Sequence, residues 1–190
     1  MNVFYDLGAG SGTDIKLFYN MYNKIVWDVH AFEIQEKRVS KIKEKYPNIN
    51  VVNAAAGSYN GTADFYHGKS ENGTSLMAGK SGVNVNNKET VNVVDFAEYM
   101  STHSNKDDNI IVLIDIEGGE YELVEHLKTT GKIDWIDELY IEFHGHKLKG
   151  FDIQIEDDMV KYLIDKFDDK VYIYRKHQHE QFLKLNAEGR

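Results

Sequence analysis

The sequence predicts an α/β protein with a mostly parallel central sheet and helices on both faces. Three observations indicate this class. Short apolar runs alternate with segments of helical periodicity, which is typical of βαβ units. The first apolar run, residues 2–7, leads into a glycine-rich turn that a helical pattern follows at once. A later run, residues 110–116, is almost continuously apolar, as expected for a strand that is covered on both faces.

The first part of the chain alternates strand and helix. Residues 2–7 are the first predicted strand, and the second lies within residues 25–33 and ends at Glu33. Pro47, the only proline, follows the second helix closely and helps to end it. Residues 50–55 are predicted to form a short, buried third strand. The apolar faces of the two helices consist of Leu17, Phe18, Met21 and Tyr22 in the first, and of Val39, Ile42 and Tyr46 in the second.

Residues 57–90 interrupt this alternation, because they are rich in Gly, Asn, Ser and Lys. Residues 61–67 are interpreted as one strand of a hairpin, whereas the stretch after them shows no clear period. A loop this long in a compact domain is usually functional or disordered. We interpret the segment as a loop and hairpin insertion that lies over the binding site, with disorder as the alternative.

The second part of the chain resumes the alternation. Residues 95–100 are predicted to be helical, and residues 110–116, 139–143 and 171–174 to be strands. The helices that follow the first two of these strands have apolar faces made of Leu123, Val124 and Leu127 in one, and of Met159, Val160, Leu163, Ile164 and Phe167 in the other.

Length and composition predict a single domain over residues 1–190, since 42% of the residues are hydrophobic. The net charge of −9 makes nucleic acid an unexpected partner, because phosphate binding depends on Lys and Arg. Cysteine is absent, which excludes a disulfide framework and a thiolate metal site. No apolar stretch approaches the roughly 18 residues of a membrane span, and the first strand begins without a signal-peptide core. We therefore expect a cytoplasmic protein without membrane attachment.

The glycine-rich turn reads Asp6-Leu-Gly-Ala-Gly-Ser-Gly12. Glycine allows a ligand to approach bare backbone at the carboxyl end of a strand. A dinucleotide fingerprint, G-x-G-x-x-G, would need its third glycine at position 13, which is Thr13. The spacing D-x-G-x-G-x-G instead resembles the S-adenosylmethionine loop of class I methyltransferases.

Polar residues collect where the predicted strands end, which is where ligands bind in an open α/β sheet. Carboxylates are rarely buried without a partner, so packing alone does not explain acids at these ends. Glu33 lies 21 residues after Gly12, where an acid can accept hydrogen bonds from both hydroxyls of a ribose. The residues at the predicted strand ends, polar and apolar together, are Asp6, Glu33, Asn53, Ala54, Ala55, Asp115, Glu117, Glu142 and His144.

Candidate catalytic residues follow the fourth and fifth strands of this sheet. Alternation places Asp115 and Glu117 on one side while that segment stays extended, and two glycines then let the chain turn into a helix. Asp115, Glu117 or His144 would orient a hydroxyl or take its proton. His144 and His146 form an H-x-H pair that can bind a metal, but two histidines supply too few ligands, so we expect none.

Over most of its length the sequence resembles the FkbM-type S-adenosylmethionine-dependent methyltransferases. The loop at residues 6–12 is similar to the family pattern D-x-G-A-N-x-G, and Ala31-Phe-Glu-Ile34 is similar to A-F-E-P. Residues 53–57 and 60–66 resemble its alanine-rich strand and the hairpin after it. The most specific likeness is Ile114-Asp-Ile-Glu-Gly-Gly-Glu120, which resembles I-D-V-E-G-A-E.

The resemblance implies a Rossmann-like class I methyltransferase that uses S-adenosyl-L-methionine and methylates a hydroxyl, often on a sugar, a glycan or a small natural product. Carried over position by position, it gives Asp115, Glu117 and His144 as catalytic candidates and Asp6, Gly8, Gly10, Glu33, Ala54 and Asp115 as cofactor contacts.

The sequence departs from the family pattern at three positions. Gly10 replaces an Asn of the loop, Ile34 replaces a Pro, and Leu113 replaces a common Lys. The sequence also starts at the first predicted strand, whereas many class I methyltransferases carry helices before it that help to choose the acceptor. The acceptor would then be recognised by residues 57–90, by the segment after His144 or by the second subunit of a homodimer.

Two other functions agree less well with the sequence. An NAD(P)-dependent oxidoreductase is disfavoured by the glycine spacing and by the lack of a Tyr-x-x-x-Lys-like pair near the fourth strand. A catalytically inactive methyltransferase fold that acts as a binding or scaffold protein is the second alternative. The intact loop and Glu33 disfavour it, whereas Gly10 and Leu113 keep it open.

Overall fold

The computed structural model describes residues 1–22, 26–68 and 74–175. Strands and helices alternate along most of this length, and a pair of long antiparallel strands interrupts them. In chain order the elements are β1 (Asn2–Leu7), α1 (Thr13–Met21), β2 (Trp27–Phe32), α2 (Glu36–Lys45), β3 (Asn50–Val52), β4 (Ala55–Gly57), β5 (Gly61–Gly68), β6 (Val83–Asp95), α3 (Phe96–His103), β7 (Asn109–Ile114), α4 (Glu120–Thr129), β8 (Glu138–Glu142), α5 (Ile153–Phe167) and β9 (Val171–Tyr174).

The main sheet has the order β3-β2-β1-β7-β8-β9 in the described part of the chain. Each neighbouring pair in it is parallel. Parallel strands end at the same edge of a sheet, so the loops after β1, β2, β3, β7 and β8 all meet at one edge. The predicted α/β class with a mostly parallel sheet is confirmed.

Helices cover both faces of this sheet. The side chains of β1 point alternately to the two faces, and each face has its own hydrophobic core. Tyr5 and its neighbours on one face join the large core that also contains residues of α3, α4 and α5. Phe4 points to the other face and stacks on Phe18 of α1 with ring centroids 3.9 Å apart. Burying an aromatic ring of this size contributes about 2–3 kcal/mol, so the alternation along β1 fixes which face each helix covers.

A second sheet with the order β4-β6-β5 corrects two sequence-based predictions. Residues 50–55 do not form one strand: β3 ends at Val52 in the main sheet, and β4 begins at Ala55 in the second sheet. Strand β6 covers residues that were interpreted as part of a loop without a period. Its middle is exposed and polar, so it lacks the apolar alternation that marks a half-buried strand. The predicted hairpin strand at residues 61–67 is confirmed as β5, which pairs antiparallel with β6.

Two further predictions need correction in detail. In α1 the buried residues are Ile15 and Phe18, whereas Leu17 and Met21 are each 45% exposed. Strand β7 ends at Ile114, two residues earlier than predicted. None of the helices in the described residues is both long and apolar enough to cross a membrane.

Candidate active site

Two adjoining cavities open at the edge of the sheet where the parallel strands end. Their volumes are about 270 Å³ and about 450 Å³. They form one continuous cleft, because both are lined by Gly8, Gln35, Arg38, Thr74, Asp115 and Glu117. We call the smaller the adenosine-side cavity and the larger the acceptor-side cavity, after the groups that we propose for them below.

The glycine loop forms the floor between the two cavities. Gly8 has φ +96°, and a Cβ added to it would lie 1.8 Å from the carbonyl oxygen of Asp115. Only glycine fits there, since any side chain would push the loop away from the end of β7. The amides of Gly8 and Ala9 both donate to the carbonyl oxygen of Phe32, at 3.0 and 2.9 Å. The loop is thereby held between the ends of β2 and β7.

Asp6, directly before this loop, is a buried carboxyl group. The residue is 0% exposed, and neither of its carboxyl oxygens has a hydrogen-bond partner among the described residues. Burial raises its pKa well above the ordinary value, and the nearby carboxylates of Asp14, Asp115 and Glu33 raise it further. A buried carboxyl without a partner is costly, but Asp6 lines neither of the two cavities.

Glu33 is held in place at the end of β2. It is 6% exposed, its Oε1 accepts the amide of Gln35 at 2.7 Å, and its Oε2 lies 3.9 Å from an Arg38 nitrogen. Asn53 steadies the backbone there by donating to the carbonyl oxygens of Glu33 (3.0 Å) and Ile34 (2.7 Å). Burial raises the pKa of Glu33, and the Gln35 amide and Arg38 oppose that rise. Glu33 lines the adenosine-side cavity.

The rest of the adenosine-side cavity is mostly apolar. A flat aromatic base would find apolar surface there, close to the carboxylate of Glu33. The sequence-predicted contact Ala54 is part of this wall, which includes Phe32, Ile34, Ala54, Ala55, Ala56, Phe65, Leu76, Met77, Val93 and Ile116.

His144 lines the acceptor-side cavity close to its junction with the other cavity and is surrounded by carboxylates. Its side chain is 1% exposed, and its Nδ1 lies 2.8 Å from Oε1 of Glu120. Its Nε2 lies 3.2 Å from Oε1 of Glu142, 3.4 Å from Oε2 of Glu117 and 3.6 Å from Oδ1 of Asp115. The structure therefore brings together the three predicted catalytic residues, which come from the ends of β7 and β8.

The charges in this cluster shift one another. Burial would lower the pKa of His144, but hydrogen bonds to Glu120 and Glu142 and the charge of Asp115 raise it to about 10. Burial raises the pKa of Asp115 to about 7, with Glu142 adding to the rise and His144 opposing it. Burial would also raise the pKa of Glu117, but His144 and two lysines lower it. A histidine that is charged at neutral pH donates a proton rather than accepting one, so the structure favours a carboxylate over His144 as the base.

Glu117 reaches the cluster through a turn. It has φ +57°, which is uncommon for a residue other than glycine, and its Oε2 lies 2.6 Å from Nζ of Lys80 and 3.1 Å from Nζ of Lys147. The segment of residues 74–82, which we call the cover segment, is thereby attached to the site. Ser75 Oγ donates to the carbonyl oxygen of Glu117 at 2.7 Å, and the amide of Ser81 donates to the carbonyl oxygen of Lys147 at 2.6 Å.

Three residues that contact Glu117 or His144 are not among the predicted site residues. Lys80 and Lys147 are single lysines in loop sequence, and no local pattern marks them. Glu120 could have been identified, because an acid at the first position of a helix can accept the amides before it. It is 0% exposed and accepts the amide of Gly118 at 3.0 Å while it binds His144. His146 does not line either cavity.

The fold and the site define a Rossmann-like α/β protein with a glycine-loop ligand cleft. A model of the FkbM methyltransferase domain matches residues 6–188, and the chain belongs to this family. A comparison with curated proteins gave no match.

A crystal structure of methyltransferase FkbM from Methylobacillus flagellatus KT, at 2.20 Å resolution, is similar with a TM-score of 0.52. The identity is 13%, and the similarity covers 86% of this chain but 37% of that chain. At this identity the likeness shows the fold, and this chain spans little more than a third of that protein.

Proposed function

We propose that the protein transfers a methyl group from S-adenosylmethionine to a hydroxyl of a sugar, a glycan or a small natural-product-like acceptor. The observation that carries this proposal is the continuous cleft. Its adenosine-side cavity has apolar walls and the buried Glu33, and its acceptor-side cavity ends at a group of carboxylates. The two cavities meet at Gly8 and Asp115, which is where a transferred methyl group would have to lie.

The residues present fit the proposed cofactor. Glu33 would accept hydrogen bonds from ribose hydroxyls, the apolar wall at Ala54 would cover the adenine, and the glycine loop admits a ligand close to the backbone. Asp6 lies directly before the glycine loop and has no hydrogen-bond partner among the described residues, so it stays a predicted cofactor contact although it lines neither cavity. When bound, the cofactor supplies an electrophilic methyl group on a sulfonium sulfur.

The chain's own residues would orient the acceptor and take its proton. The acceptor oxygen would enter beside Asp115 and Glu117, and positioning is the main task because the methyl group is already reactive. A carboxylate of this pair would accept the hydroxyl proton as the new O–C bond forms. The S–C bond breaks in the same step and its electron pair stays on sulfur, so S-adenosylhomocysteine leaves as the neutral thioether.

Calorimetric titration with S-adenosylmethionine, and in parallel with NADH, tests the cofactor. We expect saturable binding of S-adenosylmethionine alone, with an affinity at least tenfold weaker in Glu33→Ala. The matched control is Glu36→Ala, which removes an exposed acid three residues away on α2 and should leave the affinity unchanged. Equal affinity in wild type and Glu33→Ala would contradict the assignment.

A second test separates the enzyme from a scaffold. Turnover is followed as S-adenosylhomocysteine formed from S-adenosylmethionine in the presence of each member of a panel of sugars, glycans and small polyhydroxylated acceptors. Release with any of them supports the enzyme and gives Glu117→Gln a measurable defect in kcat at unchanged cofactor affinity. If the protein binds S-adenosylmethionine but forms S-adenosylhomocysteine with none of the acceptors in the panel, the scaffold alternative is favoured.

A further inference from the structure

His144 presents one nitrogen to three carboxylates at once. Its Nε2 lies 3.2–3.6 Å from oxygens of Glu142, Glu117 and Asp115. An imidazole nitrogen carries at most one hydrogen, so it can donate to one of these acceptors and leaves the others without it. One donor atom from each of Asp115, Glu117 and His144 lies within 4.8 Å of the others. This convergence exceeds what a single hydrogen bond requires.

The other ring nitrogen of His144 is already fixed. Nδ1 lies 2.8 Å from Oε1 of Glu120, a carboxylate that is 0% exposed. Glu120 also accepts the amides of Gly118 (3.0 Å) and Ile116 (3.2 Å), which prevents it from turning away. Metal-binding histidines commonly donate one N–H to a carboxylate in this way, which directs the other nitrogen at the metal. A metal ion would take the place of the proton that Nε2 of His144 otherwise donates to Glu142 at 3.2 Å.

A separate observation indicates a missing ligand at the same place. Oδ1 of Asp115 is buried and accepts no hydrogen bond from any described residue. Buried carboxylate oxygens are nearly always satisfied, and one that is not requires an explanation such as an ion. This oxygen faces Nε2 of His144 at 3.6 Å, which is longer than a hydrogen bond.

We propose that Asp115, Glu117 and His144 bind one divalent metal ion between them. Two ligands of a tetrahedral ion with bonds of about 2.0–2.2 Å are about 3.3–3.6 Å apart. The distances from Nε2 to Glu117 and to Asp115, 3.4 and 3.6 Å, lie in that range. The sequence-based expectation was that no metal binds, whereas the fold brings Asp115 and Glu117 from the end of β7 close to His144.

Charge supports the same ion. Four carboxylates surround His144, and only two ammonium groups, those of Lys80 and Lys147, lie beside them among the described residues, so a divalent cation would be attracted there. Glu117 can serve its lysines and a metal at the same time, because a carboxylate has two oxygens with about four acceptor sites.

The donor set also selects the kind of ion. Imidazole suits Zn²⁺ and other first-row transition ions, and carboxylates suit Mn²⁺, whereas Mg²⁺ and Ca²⁺ prefer oxygen ligands alone. We therefore assign Zn²⁺ or Mn²⁺. Three protein ligands leave a position open towards the acceptor-side cavity, as in catalytic metal sites. The role of that position in holding an acceptor oxygen rests on the proposed function, but metal binding itself does not.

The test is metal binding to the chelator-treated full-length protein. Zn²⁺ is titrated by calorimetry, and Mn²⁺ by the loss of the electron paramagnetic resonance signal of the free ion. We expect one equivalent to bind to the wild type, and the affinity to fall at least tenfold in Asp115→Asn and in His144→Ala. The control is His126→Ala, because His126 pairs with the single carboxylate of Asp95 at 2.9 Å and should not contribute.

Circular dichroism establishes that each variant is folded. If His144→Ala unfolds, Asp115→Asn decides, since Asp115 is 34% exposed and its replacement keeps the shape of the side chain. Absence of saturable binding in the wild type, or undiminished binding in Asp115→Asn, would overturn the proposal. Calorimetry with S-adenosylmethionine distinguishes the two proposals, because a protein that binds the cofactor and no metal refutes only this one.

Discussion

Nζ of Lys80 lies 2.6 Å from Oε2 of Glu117 and joins the cover segment to the turn after β7. The lysine side chain is 1% exposed, and its ammonium also donates to the carbonyl oxygen of Thr74 at 3.1 Å. A buried ammonium must be paired, since its desolvation is costly. The ion pair therefore holds the cover segment against a candidate catalytic residue.

Replacing Lys80 by Met should destabilise the protein by about 1–3 kcal/mol, less than a fully buried pair because Lys147 still neutralises Glu117. Urea denaturation, extrapolated to water, measures the change. Lys88→Met is the control, because the Lys88–Asp64 pair is exposed and its loss should leave the midpoint unchanged. Equal midpoints for wild type and Lys80→Met would show that the pair does not hold the segment.

Substitution of two glycines in the same loop should change stability by very different amounts. Gly8→Ala places a Cβ 1.8 Å from a carbonyl oxygen and should cost about 3 kcal/mol or more. Gly10 has φ +53°, and the nearest atoms to an added Cβ are 3.8 Å away. Asparagine tolerates that conformation best among other residues, so Gly10→Asn should change stability by less than about 1 kcal/mol.

Denaturation midpoints and calorimetry with S-adenosylmethionine measure both variants. Gly10→Asn should keep the cofactor affinity of the wild type. If Gly10→Asn loses as much stability or cofactor affinity as Gly8→Ala, the prediction is wrong. The backbone conformation of Gly10 would then not explain why the family pattern has Asn at this position.

The sequence predicted the elements whose burial follows a local period. Strands β1 and β7 are apolar runs, and the buried faces of α2 and α4 follow helical spacing, so each pattern reports its own environment. Strand β6 was missed because its partners are β4 and β5, and its exposed polar middle carries no such pattern. Pairing between distant segments is what a local period does not encode.

The candidate site was predicted to a similar extent and for a similar reason. Asp6, Glu33, Asp115 and His144 follow strands, and a parallel sheet brings strand ends together whatever the loops do. Strand alternation predicted that Glu117 lies on the same side as Asp115. In the structure β7 already ends at Ile114, and Glu117 reaches this position through a turn in which its φ is positive. Lys80 comes from a separate loop, and only the folded chain brings it to Glu117.

Tyr121 should stabilise the backbone next to His144. Its hydroxyl donates to Oε2 of Glu156 at 2.5 Å and accepts the amide of Gly145 at 2.6 Å, all within a buried setting. Tyr121→Phe leaves that amide without its acceptor and should cost about 1–3 kcal/mol. Thermal unfolding measures the loss. Tyr59→Phe is the control, because Tyr59 is exposed and the hydrogen bond from its hydroxyl to the carbonyl oxygen of Thr62 is 3.5 Å long. A similar loss of stability in both variants would contradict the assignment.

His30 should make stability depend on pH below neutrality. It is buried, with Nδ1 2.9 Å from the hydroxyl of Tyr99 and Nε2 3.1 Å from Oδ2 of Asp28, and the ring of His103 lies 5.1 Å away. Burial lowers its pKa below the ordinary value of 6.5 by more than Asp28 raises it. The unfolded chain therefore binds more protons than the folded chain as the pH falls below about 6.5.

The contribution of His30 is present above that pH and is lost as the pH falls towards its lower pKa in the folded state. One proton changes the free energy of unfolding by at most about 1.4 kcal/mol per pH unit. Urea denaturation between pH 7.5 and 5.5 should show a shallower slope of stability against pH in His30→Asn than in the wild type. His67→Asn should retain the wild-type slope if the difference comes from burial, because His67 is one-third exposed and pairs with Glu89 at the surface. Parallel slopes for wild type and His30→Asn would show that His30 does not titrate on unfolding in this range.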